Sequence, residues 1–413
     1  MSEMTINRDL DGLTFYWAQW ELTCALSRFK PNKDGMSAEL TIYMPLNGKV
    51  RTLTSGVVNL SALVTRDRLI KRLTELAELV DWRRVVETVC VRGVQEYRRG
   101  EPIESLEPSD QDTPTRFVLN PYVYDNHPTL LYGPGDSGKS FLALYWACLL
   151  ASGGMENGLS THPDGHNVLY LNWEMQAAEM RTRVKMLRAS HPGLTKAPLH
   201  RWCVGPLSEF APDLKAEVVE KGIGVVIIDS LAPATGGEIT GAEPVVRFFQ
   251  SLSSLRCASI LIGHVAKGGE GKEATAYGSV FYFNLSRSVY EVKKIQEEES
   301  GSYRMALYHR KNNLGRRQAA TGFALTVDDD KATVSQFDPA EDATLSMGLP
   351  LHVRISQKMA DGHEWTAKLL SDYLCEDLNL VRKTLNQHVG AKWKRTHEGK
   401  SGRGDETTWR ILQ

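Results

Sequence analysis

The chain has 413 residues, 42% hydrophobic and 24% charged, with a formal net charge of −1. Two or three domains of ordinary globular composition are expected, and the near-zero charge excludes binding of nucleic acid through one global basic field. The six cysteines, Cys24, Cys90, Cys148, Cys203, Cys257 and Cys375, form no CxxC pair, which excludes a zinc ribbon or dithiol redox motif, and isolated thiols fit a reducing cytoplasm. The start, MSEMTINRDLDG, is acidic and polar, unlike a secretory signal, and no apolar run is long enough to span a bilayer, so a cytoplasmic protein with no membrane partner is expected.

Residues 1–103 are predicted to form an α+β unit. LTFYWAQWEL and AELTIYMPL are rich in aromatic and β-branched residues and predict strands. Alternation sets Phe15 and Trp17 on one face and Tyr16 and Trp20 on the other. Strands aromatic on both faces more often serve a core or an oligomer contact than a base-stacking platform. Helices follow at RDRLIKRLTELAELV, with Leu69, Leu73 and Leu76 at helical spacing, and at DWRRVVETVCVRGVQEYRR. Residues 104–116, rich in Pro, Ser and acids, read as a linker. From 117 to 338, apolar runs at 129–133, 167–173, 224–230, 258–265, 286–292 and 303–311 alternate with helical stretches. That pattern predicts an α/β domain, a mostly parallel sheet flanked by helices.

Residues 339–350 read as a second linker. The tail, 351–413, predicts three short helices and then two strands around a glycine-rich turn, a winged-helix-like domain. Its third helix turns Val381, Leu385 and Val389 inward and Arg382, Lys383 and Gln387 outward. Over 379–410 eight Lys/Arg face three acids. Arg382, Lys383, Lys394, Arg395, Lys400 and Arg403 are therefore the candidate contacts to duplex DNA. The same shape can also serve protein contacts.

The chemistry concentrates at GPGDSGKS, residues 133–140, between a predicted strand and a predicted helix. This is the spacing of a phosphate-binding loop. Gly133, Gly135, Asp136, Ser137, Gly138, Lys139, Ser140 and Phe141 are the candidate nucleotide contacts. Backbone N–H groups and the helix N-terminus would cradle the phosphates of ATP, and Lys139 would reach the β- and γ-phosphates. Ser140 would ligate magnesium. Asp136 is unexpected in a loop built for anions. Because the backbone holds the phosphates, its side chain is expected to point to solvent or across a subunit boundary.

GVVIIDS ends in Asp229, a second candidate for magnesium at the carboxyl edge of the sheet. Ser230 follows it where many ATPases carry a glutamate, so another group must orient the attacking water. Glu174, after the run LYLNW, is that candidate; the alternative is a glutamate in the first turn of a helix. His264, closing SILIGHV, is a candidate sensor of the γ-phosphate, or simply a histidine at a strand end.

Together GPGDSGKS, VLYLNWEM, VVIIDSL, ILIGHVAK, YGSVFYFNLSRSVYEV and HRKNNLG resemble the RecA-like ATPases, and within them the RepA/DnaB-type hexameric replicative helicases, over roughly residues 117–318. The lone Asp229, followed by Ser230, sets the chain apart from AAA+ proteins. The resemblance implies Glu174 as the catalytic glutamate and His264 in the sensor strand. It also implies cations that reach into a neighbouring subunit's ATP, Arg287 in NLSRSV and Lys311 in RKNNLG, with Arg310 competing for the second role. It implies a homo-oligomer, a ring of six, whose loops at 232–244 and 266–276 touch single-stranded DNA. Of these loops only the second offers cations, Lys267 and Lys272. The expected function is an ATP- and magnesium-dependent DNA motor in plasmid or phage replication. The alternative is an ATP-switched DNA-binding regulator or assembly or recombination factor that unwinds nothing.

Overall fold

The structure, a computed structural model, describes residues 4–8, 12–33, 35–46, 49–100, 103, 105–108, 114–236, 241–264, 280–296, 302–399 and 406–412. Two compact units form, Met1–Pro114 with Phe210–Glu220, and Thr115–Glu209 with Lys221–Gln413.

In the first unit β1 (Met4–Arg8), β2 (Gly12–Trp17), β3 (Leu22–Asn32), β4 (Gly35–Leu46) and β5 (Lys49–Asn59) form an antiparallel sheet in chain order. Helices α1 (Leu63–Leu76) and α2 (Trp82–Arg99) follow. Strand alternation buries Phe15 and Trp17, which stack, with Leu40 and Ile42 and with Val85 and Val89 of α2. Trp20 departs from the expected alternation. It lies in a 3-10 turn after β2 and packs partly buried against the same core. Leu73 is buried as its spacing predicts, whereas Leu76, at the end of α1, is 49% exposed.

In the second unit a hairpin of β6 (Phe117–Leu119) and β7 (Val123–Tyr124) leads into β8 (Pro128–Gly133) and α3 (Lys139–Ser152). A second hairpin, β9 (Gly154–Glu156) and β10 (Leu159–Thr161), precedes β11 (Asn167–Asn172), α4 (Ala177–Ser190) and β12 (Leu199–Trp202). Next in the chain is α5 (Leu207–Glu220), whose residues from Phe210 on belong to the first unit, and then come β13 (Ile223–Asp229), α6 (Leu231–Thr235), α7 (Ala242–Ser254), β14 (Ala258–His264) and α8 (Val280–Leu285). The run ends with β15 (Ser288–Gln296), β16 (Ser302–Asn312), β17 (Thr321–Val327) and β18 (Ala332–Phe337).

These strands make one mixed sheet in the order β12-β11-β13-β14-β8-β15-β16-β17-β18. The part from β12 to β15 is parallel, as continuous apolar runs between helices require. From β15 to β18 the pairing is antiparallel. The run 303–311, expected to join a mostly parallel sheet, thus runs the other way, pairing antiparallel with β15, which precedes it in the chain. Helix α3 is apolar all round and its residues from Phe141 to Ala151 are buried, the signature of a central helix.

Residues 339–350, which read as a linker, contain a 3-10 turn (Pro339–Glu341) and α9 (Ala343–Ser346). Leu345 is buried there, its carbonyl accepts from the Tyr308 hydroxyl, and Asp342 pairs with Arg304 at 3.3 Å. The tail has α10 (Leu351–Met359), β19 (Trp365–Thr366), α11 (Ala367–Leu374), α12 (Leu378–Gln387), β20 (Trp393–His397) and β21 (Thr408–Ile411). Its sheet order is β19-β21-β20, antiparallel. Trp393 and Trp409 close over Ile355, Leu370, Val381 and Leu385. Val389, predicted to face inward, lies past the end of α12 and is 39% exposed; Trp393 fills the core instead. No helix among the described residues is long and apolar enough to cross a membrane.

Candidate active site

The parallel arrangement brings the carboxyl ends of β8, β11, β13 and β14 to one edge, where open α/β sheets bind ligands. The loop after β8 turns through Gly133 and Gly138. A side chain on Gly133 would strike the Val292 carbonyl of β15, and Gly138 sits at φ +78° with Met305 against it. Only glycine meets both demands.

Lys139, at the start of α3, folds its ammonium into the loop. It donates to the Gly133 carbonyl at 3.1 Å, the Pro134 carbonyl at 2.6 Å and the Ser137 hydroxyl at 3.0 Å. Burial pushes its pKa down to about 8; the charges of Asp229, Glu174 and Asp136 oppose this, and that of Lys294 adds to it. A bound polyphosphate favours the cation and raises that pKa again. Nucleotide affinity is therefore expected to be level below about pH 8 and to fall by up to about tenfold per pH unit above it. Equilibrium binding of ATP across that range checks this; a flat profile through pH 9 would remove Lys139 from phosphate binding.

Asp229 ends β13 and is buried. Its Oδ2 accepts from the Tyr170 hydroxyl at 2.7 Å, while Oδ1, also buried, has no hydrogen-bond partner among the described residues. Burial raises the carboxyl pKa against the pull of the Tyr170 and Ser140 hydroxyls. Tyr170 is itself fully buried and held well above its ordinary pKa, so it stays a donor. Its role is hidden in the sequence, where it is one more apolar-strand residue of VLYLNW.

Glu174 lies two residues beyond β11, outside α4, which begins at Ala177. It is therefore not in the first turn of a helix. The buried Asn172 side chain fixes its backbone, Oδ1 accepting from the N–H groups of Glu174 and Met175 at 2.8 Å each. The Trp173 N–H reaches the Asp229 carbonyl at 2.8 Å and ties this turn to β13. The half-exposed Glu174 carboxylate accepts from Ser230 Oγ at 2.6 Å and lies 3.6 Å from His264 Nε2. The neighbouring His264 imidazole, 3.6 Å away, holds its carboxyl below the usual range, against partial burial, and Ser230 and Lys139 help. Ser230, noticed in the sequence only for not being an acid, is thus the partner of the carboxylate.

His264 closes β14 opposite Gly133 in the parallel register, so it touches Glu174 and flanks the phosphate loop at once. Asp136 carries φ +53°, and its carboxylate faces Lys294 of β15 at 3.1 Å. The partner is thus within the same chain, and it is a residue the sequence did not single out. Phe141 is buried on α3 under the Arg183 guanidinium.

The remaining candidates lie elsewhere. The Arg287 N–H donates to the Pro128 carbonyl at the start of β8, the edge opposite the phosphate loop, and its side chain is exposed. Lys311 is brought beside it, Val289 pairing with Lys311 across β15 and β16. Its ammonium donates to the carbonyls of Phe283, Asn284 and Ser286 at 2.9, 2.7 and 2.8 Å, as a cation at the end of α8. Burial, and then Arg287, lowers its pKa. Arg310 pairs with Glu291 at 2.6 Å.

In the tail Arg382 and Lys383 of α12 and Lys394 of β20 are exposed. Arg395 is tied to Glu398 at 2.8 Å and to Asn386 at 2.9 Å. Lys267, Lys272, Lys400 and Arg403 lie outside the described residues. The expected loop 232–244 is helical at both ends, through Thr235 of α6 and from Ala242 of α7, with Ala234 and Thr235 buried.

The chemistry fits a nucleotide with magnesium. Among the described residues no group of three His, Cys, Asp or Glu could hold a metal by itself. Magnesium commonly takes one or two protein oxygens and completes its shell with phosphate and water. Ser140 and the unpartnered Oδ1 of Asp229 suit that role.

The family model for an AAA domain matches residues 101–270, less than half of the chain. Three solved structures are similar to parts of it. A KaiC-like protein from the hyperthermophilic archaeon Pyrococcus horikoshii is 15% identical, covering 54% of this chain and 99% of its own, with a TM-score of 0.39. The RadB recombinase is 18% identical, covering 50% and 90%, with a TM-score of 0.36. The flagellar accessory protein FlaH from Methanocaldococcus jannaschii is 13% identical, covering 51% and 90%, with a TM-score of 0.35. No curated protein matches. The AAA match falls on the residues that Ser230 set apart from AAA+ proteins; both readings share a P-loop ATPase core. Residues 101–270 are thus similar to an AAA domain, and the phosphate-loop motif within them lies at the edge of a mixed, helix-flanked sheet.

Proposed function

We propose that the protein is an oligomeric ATP-hydrolysing DNA motor, similar to RepA-like replicative helicases, working in the cytoplasm on plasmid or phage DNA. One observation carries the reading: Lys139, Glu174, Asp229 and His264 stand at the ends of β8, β11, β13 and β14 on one sheet edge. Lys139 and the loop's N–H groups hold the phosphates. Ser140 and Asp229 would hold magnesium, which when bound neutralises charge on the β- and γ-phosphates. Glu174, anionic and aimed by Ser230 and His264, accepts a proton from the attacking water. His264, between Glu174 and the loop, is placed to register the γ-phosphate.

Arg287 supports the oligomer. About 17 Å of strand β8 separates it from its own phosphate loop, so it can act only on a neighbour's nucleotide. Lys311, its ammonium tied to carbonyls at the end of α8, lies beside Arg287 as the second candidate finger, whereas Arg310 is paired with Glu291, which lies in register with Tyr132 toward the loop end of β8.

A second reading is favoured by the tail, which we read as a winged helix. Exposed Arg382 and Lys383 on α12, beside exposed Lys394 on β20, suit a duplex groove and its phosphates. Such a module fits an ATP-switched regulator bound at a duplex site. ATP turnover measured with no DNA, single-stranded DNA and duplex, beside a strand-displacement assay, separates the two. The motor predicts stimulation of several-fold by single strands together with displacement. Turnover without displacement removes the motor and leaves the regulator.

A further inference from the structure

Beyond the pairing with β8, which ends at Glu291, strand β15 continues past the phosphate loop. Val292 lies against Gly133, and Lys294 reaches the loop's lip. There its ammonium donates to both the backbone carbonyl and the carboxylate Oδ2 of Asp136. This is not a loose surface lysine. Its side chain is 15% exposed, carried by a strand, and its ammonium lies 4.9 Å from the Tyr303 ring centroid. The Asp136 carboxylate, by contrast, is 80% exposed on a loop residue at positive φ, a conformation that Asp tolerates better than most residues. The charge of Lys294 already acts on Lys139, so both ammonium groups share one field.

We propose that Lys294 is a phosphate-binding cation of the nucleotide site and that Asp136 is its internal stand-in. The carboxylate keeps the ammonium at the lip of the loop and releases it to an incoming polyphosphate. The proposal rests on the ATPase reading. An ion pair with one exposed partner is weak, and a polyphosphate offers more charge and more acceptor oxygens than one carboxylate. The exchange moves the ammonium only from one acceptor to another, with no bond made or broken. An acid in an anion-binding loop is then explained: it neutralises a second cation beside Lys139 until phosphate replaces it.

A mere strut between β15 and the loop predicts that both partners help binding. The proposal predicts opposite signs. Asp136→Asn, which keeps the tolerance for positive φ, is expected to tighten ATP binding by about tenfold, and Lys294→Ala to weaken it by about tenfold. Both effects should grow from AMP through ADP to ATP. In the Lys294→Ala background Asp136→Asn should lose most of its gain. The measurement is calorimetric binding of magnesium-ATP, ADP and AMP to the full chain, with thermal melting to confirm folding; Lys294→Gln replaces Lys294→Ala if the latter does not fold. Weaker ATP binding by folded Asp136→Asn overturns the proposal, as does an effect equal for AMP and ATP. Lys139→Ala is the control for the underlying reading. If wild type binds no ATP, or Lys139→Ala binds it equally well, the nucleotide site itself is wrong and the Lys294 assignment goes with it.

Discussion

Glu174→Gln is expected to slow ATP turnover by about 10²–10⁴-fold while leaving ATP binding within a few-fold of wild type. The amide keeps the size of the carboxylate and can still accept from Ser230 Oγ, which lies 2.6 Å from Oε1. The turn that carries it depends on Asn172, not on the Glu174 side chain, so the backbone should not move. What is lost is the charge that takes a proton from water. The lowered carboxyl pKa sets the pH behaviour with its sign: the group is already ionised at neutral pH, so any loss from its protonation appears only on the acid side, below the ordinary carboxylate range. Phosphate release in a single turnover, beside equilibrium binding, measures both halves. Turnover near the wild-type rate would show that another group orients the water, and His264, 3.6 Å from Glu174, would be the first to examine.

The place of Glu174 at the sheet edge is legible in the sequence because the signal is local. A phosphate loop between strand and helix, and polar residues that end apolar runs, fall at one edge as soon as the strands are parallel. What the sequence hides depends on strands meeting across long separations. Lys294 and Asp136 are 158 residues apart and meet only because β15 lies beside β8. Tyr170 looks like core until its hydroxyl is found on Asp229. The antiparallel half of the sheet is invisible to periodicity, since a fully buried strand reads the same in either direction. Lys311, placed among the fingers by resemblance, is tied to three carbonyls by the hairpin register that sets it beside α8. Val389 continues the helical spacing on paper, but α12 stops at Gln387 and Trp393 takes the inner place.

The same placement makes Arg287 the most consequential residue away from the loop. Arg287→Ala is expected to reduce kcat by about 10³–10⁵-fold with nucleotide affinity changed far less, the effect of removing a cation that stabilises charge on the transferring phosphoryl. Its position excludes the same-chain route, because Arg287 lies at the start of β8 and β15 whereas Asp136 and Lys139 lie at their far ends. On the proposed oligomer, activity would therefore be shared between subunits, and mixing tests it. Arg287→Ala subunits keep a whole phosphate loop, and Lys139→Ala subunits keep a whole finger. Neither is expected to be active alone. Equal mixing in a ring of identical contacts should make about a quarter of the junctions competent, each joining one intact loop to one intact Arg287. Turnover that appears only on mixing, and follows the product of the two mutant fractions with its maximum at equal mixing, assigns Arg287 to a neighbour's ATP. If Arg287→Ala retains its rate, or mixing restores nothing while the subunits still assemble, Arg287 is no finger, and the cation at the transferring phosphoryl must be sought in residues nearer the loop, Lys294 first among them.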